Sequence, residues 1–117
     1  FHSDQAADMA RAGADIVVCH MGLTTGGSIG ADTAMKLGDC VEPIHQWCEA
    51  ALKVNPDVLL LCHGGPIASP VDAEWILQKC PELHGFYGAS SMERLPTEIA
   101  LTDTTRQFVN LKRKGSQ

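Results

Sequence analysis

Apolar positions along this chain follow two alternating periods. Short, uninterrupted aliphatic runs are separated by longer segments whose apolar residues recur every three or four positions, the spacing of a helix that buries one face. Residues 4–12 place Ala6, Met9 and Ala10 on such a face and lead into Gly13, a residue suited to ending a helix. The runs Ala14-Asp15-Ile16-Val17-Val18-Cys19-His20 and Val58-Leu59-Leu60-Leu61-Cys62 predict strands buried on both faces of a parallel sheet. Between them, Val41, Ile44, Trp47, Cys48, Ala51 and Leu52 predict a helix over 41–54, with Pro43 tolerable in its first turn. Ser69 and Pro70 supply an N-cap and first-turn proline for a helix over 71–80, which Pro81 closes. A shorter strand is expected at 83–87, a helix at 97–111 and a polar, frayed tail at 112–117. Three strand-and-helix cycles, entered through the end of an earlier helix, imply an α/β fold with a parallel sheet.

Composition narrows the class. The 117 residues are 44% hydrophobic and 20% charged, as in one soluble globular domain, and no apolar run is long enough to span a membrane. Phe1-His2-Ser3-Asp4 shows neither an initiator Met nor a signal pattern, so the chain is expected to begin within a longer protein. Nine Lys and Arg against fourteen Asp and Glu give a formal charge of −5, and the one basic run, Lys112-Arg113-Lys114, lies in the tail. Nucleic-acid binding through a basic face is thereby excluded. Five cysteines, an odd number without CxxC spacing, suit a reducing, cytoplasmic compartment. Cys19 and Cys62 read as core residues. Cys40, Cys48 and Cys80 have no activating neighbour and are not expected to be nucleophiles.

Candidate chemistry gathers at the strand ends. Cys19-His20-Met21-Gly22 and Cys62-His63-Gly64-Gly65 repeat 43 residues apart, each following an aspartate-led apolar strand. Parallel α/β folds collect ligands at that edge. His20 and His63 at equivalent positions could serve as acid and base or as metal ligands, or they could hold the rim together through hydrogen bonds. Strand alternation turns Cys19 and His20 to opposite faces, which argues against a Cys/His zinc cluster. All three strand-to-helix loops are rich in glycine and hydroxyl residues, including Gly26, Gly27, Gly64, Gly65, Gly88, Ala89, Ser90 and Ser91. Their backbone N–H groups beside helix starts could cradle an anion, or the glycines could serve only tight turns. Arg94 could clamp a phosphate or carboxylate with Glu93 orienting it or moving a proton; the alternative is a salt bridge capping the last helix. Asp15 and Asp57 precede their strands and belong to the opposite edge. Trp47 and Trp75 read as core, and His45 and His84 as solvated or packing residues.

Three segments carry a resemblance to a known family. Gly13-Ala14-Asp15-Ile16-Val17-Val18-Cys19-His20-Met21-Gly22-Leu23-Thr24-Thr25-Gly26-Gly27, Cys62-His63-Gly64-Gly65-Pro66-Ile67 and Gly85-Phe86-Tyr87-Gly88-Ala89-Ser90-Ser91-Met92-Glu93-Arg94-Leu95-Pro96 resemble the phosphoenolpyruvate hydrolase-like TIM-barrel domain, also the C-terminal barrel of Tm-1-like proteins. The resemblance implies that residues 1–117 are the C-terminal portion of a (β/α)8 barrel, about three βα units holding strands six to eight. It implies an enzyme acting on a small phosphorylated or carboxylated metabolite, for which the residues above offer His20, His63 and Glu93 as catalytic candidates. It places the anion among Gly64, Gly65, Gly88, Ala89, Ser90 and Ser91, and the residue reading adds Gly26, Gly27 and Arg94. Any Mg²⁺ would be held by carboxylates on earlier strands that these residues do not include. The alternative is a non-catalytic barrel module serving assembly or partner binding. With two strand edges open, the chain is expected to associate as a homo-oligomer.

Overall fold

The computed structural model describes residues 2–22 and 36–113. Helix α1, Ser3–Arg11, is stopped by Gly13, whose φ of +97° is readily adopted only by glycine. The Gly13 N–H donates to the Ala10 carbonyl at 3.1 Å and the Ala14 N–H to that of Met9 at 3.1 Å, satisfying carbonyls that the helix end leaves open. The chain then turns into β1, Ile16–His20. A short 3₁₀ turn, Leu37–Cys40, leads into α2, Val41–Val54, followed by β2, Leu59–His63. Helix α3, Pro70–Lys79, starts as the sequence predicts: the Ser69 hydroxyl accepts from the Asp72 N–H at 3.2 Å and the Asp72 carboxylate accepts from the Ser69 N–H at 2.9 Å. Strand β3, Gly85–Phe86, and helix α4, Arg94–Val109, complete the order.

The three strands form one parallel sheet in the order β1-β2-β3. Val17, Cys19, Leu60 and Cys62 point to one face and pack under Ala6, Ala10, Ile44, Trp47, Cys48, Ala51 and Ile76 from the helices. The opposite face differs from expectation. Ile16 is 51% exposed and Leu59 45%, so among the described residues the sheet is covered on one side only. Continuous apolar runs register total hydrophobicity, and cannot say which layer covers each face.

Local departures have identifiable causes. β3 is shorter than the predicted 83–87 because His84 intervenes: its Nδ1 accepts the Leu60 N–H at 3.0 Å while its own N–H donates to the Leu60 carbonyl at 2.7 Å. An imidazole thus replaces a strand carbonyl. His45 also has a partner, Glu82, 2.7 Å away, joining α2 to the segment after α3. α4 starts at Arg94, three residues before the expected position, since Pro96 falls in the first turn, where the missing N–H would have no intrahelical partner. Trp47 is buried as expected; Trp75 is only partly covered, with the Lys79 ammonium 5.7 Å from its ring centre. The polar tail expected at 112–117 lies outside the described residues from 114 onward.

All five cysteines are free and buried. Burial, foremost, pushes the thiols of Cys40, Cys62 and Cys80 up to about 11. The Cys48 thiol is raised by its hydrogen bond with Cys19, 4.0 Å between sulfurs, and then by burial. These four are neutral core side chains near neutral pH, in keeping with the expectation that Cys40, Cys48 and Cys80 are not nucleophiles.

α4 buries none of its residues, and Ile99 is 64% and Phe108 70% exposed. The chain extends 72 × 25 × 22 Å, with a radius of gyration of 19.0 Å against about 13 Å for a compact domain of this length. A 16-residue helix containing Thr97, Thr102, Thr104 and Thr105 is marginal in water without tertiary contacts. The chain should therefore self-associate. Sedimentation velocity should show species above the 12.5 kDa monomer that grow with concentration and recede in an Ile99→Asp/Phe108→Asp variant; a monodisperse, cooperatively melting monomer would contradict this expectation.

Candidate functional site

Parallel pairing brings the two repeated segments side by side. Ile16 aligns with Leu59 and each following residue with its counterpart, so Cys19 meets Cys62 and His20 meets His63 at the C-terminal edge. Two bonds continue the pairing beyond the strands. The Met21 N–H donates to the His63 carbonyl at 2.8 Å, and the Gly65 N–H to the Gly22 carbonyl at 2.8 Å. The imidazoles of His20 and His63 stand edge-to-face with centroids 4.7 Å apart. Asp15 lies at the other edge, where its carbonyl accepts the Leu59 N–H.

Backbone groups define the protonation pattern of both rings. The Gly22 N–H points at His20 Nδ1 from 3.0 Å, and an amide can only donate. His20 Nδ1 is therefore the unprotonated nitrogen, and in the neutral ring the proton resides on Nε2. His63 has the reverse arrangement. Its Nδ1 lies 2.5 Å from the Tyr87 carbonyl, which can only accept, so in the neutral ring Nδ1 carries the proton and Nε2 the lone pair. Tyr87 also places its ring 5.1 Å from that of His63. The sequence reading passed over Tyr87; extending the β2–β3 register from Cys62 opposite Phe86 by one residue would have placed it beside His63.

Glycine at the second loop has a steric reason. Gly64 has φ +81° and Gly65 φ +60°; a Cβ at Gly64 would lie 2.2 Å from the Gly22 carbonyl oxygen and 3.2 Å from His20 Cε1, and one at Gly65 2.5 Å from the Met21 oxygen. These glycines let the two loops touch and seat the His20 ring. The Gly65 N–H is committed to Gly22, which favours the tight-turn role for that residue over a free anion donor. Gly26 and Gly27 lie outside the described residues.

The third loop stands beside His63 through Tyr87. A Cβ at Gly88 would meet the Phe86 ring at 2.5 Å and Ser91 Oγ at 2.8 Å. The carbonyls of Ala89 and Ser90 accept the first N–H groups of the turn that becomes α4. Arg94 is one residue into that helix and pairs with Glu98 one turn later at 3.1 Å, both side chains largely covered. Glu93 is exposed, and its carbonyl accepts the Thr97 hydroxyl. The structure thus joins His20, His63, Gly64 and Gly65 directly, and engages Arg94 within α4.

An open cavity of about 450 Å³ reaches His20 between the starts of α1 and α2, lined also by His2, Asp4, Met21, Pro43, Gln46 and Trp47. Among the described residues no group of three His, Cys, Asp or Glu side chains converges on one point. The rim also does not fit Mg²⁺, which takes oxygen ligands, whereas the donors here are imidazole nitrogens. No helix among the described residues is long and apolar enough to cross a membrane.

Burial, and next the adjacent His63, hold His20 below the ordinary imidazole value of 6.5. Besides His63, the titratable groups lining its cavity are His2 and Asp4. A histidine with a depressed folded pKa binds fewer protons folded than unfolded, so its contribution to stability is intact above 6.5 and lost as pH falls below it. Thermal melts from pH 7.5 to 5 should show acid destabilisation that is smaller in His20→Gln; identical pH profiles would contradict the assignment. Gly64→Ala should cost at least about 2 kcal/mol, since backbone strain and a clash with a carbonyl combine; urea denaturation measures it, and a loss under about 0.5 kcal/mol would show that the loops do not meet this closely.

Comparison with known proteins completes the picture. Residues 1–111 match the family described as phosphoenolpyruvate hydrolase-like. The chain is 53% identical over 111 residues to the ToMV susceptible protein tm-1(GCR26) of Solanum lycopersicum, covering 95% of this chain and 15% of that protein. It is 52% identical over 111 residues to the ToMV resistance protein Tm-1(GCR237) of the same species, with the same shares covered. The chain thus spans about 15% of the length of the curated relatives it matches. A match over nearly its whole length, including all three strand-end segments, shows that the chain belongs to the phosphoenolpyruvate hydrolase-like family.

Proposed function

We propose that these residues form part of the wall and rim of a (β/α)8 barrel enzyme of the phosphoenolpyruvate hydrolase-like type, acting on a small phosphorylated or carboxylated metabolite. The observation that carries this reading is the His20–His63 pair, two imidazoles in contact at the strand edge where parallel α/β folds place their ligands. The one-sided sheet supports the barrel. Helices cover the Val17 and Cys19 face, while Ile16, Val18, His20, Leu59 and His63 occupy the other, as in a wall with helices outside and an apolar interior.

In this reading His20 and His63 handle protons, with Glu93 as a further candidate close to the third loop. Gly64, Gly88, Ala89, Ser90, Ser91 and Arg94 form the anion-binding end of the site, joined from the first loop by Gly26 and Gly27, while Gly65 closes the contact between the loops. Arg94 could exchange its bond to Glu98 for one to a phosphate or carboxylate, since guanidinium binds both in the same forked geometry. The competing reading is a non-catalytic module, favoured by the commitment of the Gly65 N–H to loop closure.

Isothermal titration of the chain and of the full-length tomato relative against phosphoenolpyruvate, pyruvate and inorganic phosphate tests the proposal, alongside a turnover assay on the two acids. Binding that weakens at least tenfold when His20 or His63 is replaced by Ala is expected. Silence across the panel, or full retention of binding in both variants, would favour the non-catalytic module.

A further inference from the structure

We infer that the two rim histidines have opposite and fixed roles: His63 accepts a proton through Nε2, while His20 remains neutral and donates a hydrogen bond through Nε2–H to the oxygen on which charge develops. The inference rests on the proposed enzymatic function and adds a division of labour that the matched pair of histidines does not reveal in sequence. Its basis is geometric. A backbone donor faces His20 Nδ1 and a backbone acceptor faces His63 Nδ1, so the neutral rings are opposite tautomers, one with a donor and the other with an acceptor at Nε2. Neither assignment can reverse without breaking a hydrogen bond to main chain. Gly22 and Tyr87 are thus positioning residues, acting through their backbones, and Gly64 gives the His20 ring room.

The depressed pKa of His20 supports this geometry, since burial and the neighbouring His63 both favour the uncharged ring. A neutral imidazole donor is better matched than an imidazolium to an oxygen that gains charge only during reaction.

The pair suits a substrate in which an acidic C–H lies beside a carbonyl. The C–H bond breaks, its proton forms an N–H bond at His63 Nε2, and the released electron pair forms the carbon–carbon double bond of an enolate. The negative charge on the former carbonyl oxygen is met by His20 Nε2–H. Protonation of the enolate by His63 reverses the step, so no oxidant or second substrate is required.

Two measurements test the division of roles. Long-range ¹H–¹⁵N spectra of imidazole-labelled chain at pH 7.5 read the tautomers without any activity, and His20→Gln and His63→Asn variants assign the signals. His20 should be protonated on Nε2 and His63 on Nδ1; both rings in the same tautomer would overturn the inference. In the turnover assay, His63→Asn keeps a donor for the Tyr87 carbonyl but removes the proton acceptor, and should lower kcat at least about 100-fold. His20→Gln keeps an N–H donor near the Nε2 position and should lower kcat less than about tenfold, retaining the acidic limb of the pH profile that His63→Asn loses. The reverse order of effects would overturn the inference. Equal tautomers with turnover would refute the division of roles alone, whereas opposite tautomers with a silent panel would refute the enzymatic reading.

Discussion

The in-register parallel pairing of β1 with β2 is the constraint on which the rest of the rim depends. Each strand carries its apolar residues and its terminal histidine in the same order, and pairing Ile16 with Leu59 brings every subsequent residue opposite its equivalent. A slip of one residue would turn Val17 and Cys19 away from the helices and bring the histidine face against them. That alternative is disfavoured because helices α1 and α2 bury Val17, Cys19, Leu60 and Cys62. The packing that stabilises one face therefore positions the two histidines on the other.

From that pairing the loops follow. Once His20 and His63 are adjacent, the chain leaving β1 runs against the chain leaving β2, with Gly22 nearly touching Gly64. Glycine permits the approach, and the Gly65 bond to Gly22 secures it. The same contact holds the Gly22 N–H beside His20, while the adjacent strand end brings the Tyr87 carbonyl to His63. Backbone geometry thus distinguishes two side chains that are chemically identical. This is how equivalent positions in a repeated motif can acquire different roles.

The family assignment and the exposed surfaces fit one picture. A parallel sheet covered by helices on one side, with an uncovered apolar face and a helix that touches little else, is consistent with the proposed barrel wall. The buried thiols lie in the core on the helix-covered side of the sheet. The raised pKa values of Cys40, Cys62 and Cys80 fit packing roles, and the two histidines stand apart from them at the rim.

Sequence alone was sufficient for the α/β order, the helix signals at Gly13 and Ser69-Pro70, the placing of His20 and His63 at equivalent strand ends, and the family. These are carried by local periodicity, by capping chemistry and by motif spacing, none of which needs a distant partner. It was insufficient where a distant partner decides. His84 as a sheet-edge acceptor, His45 with Glu82, and Tyr87 beside His63 join segments far apart in the chain. The one-sided burial of the strands was also out of reach, because an uninterrupted apolar run reads the same whether one face or both are covered. Only tertiary structure could assign the two imidazole tautomers, since a tautomer is determined by which backbone group stands opposite each nitrogen, and that depends on how the strands and loops meet in space.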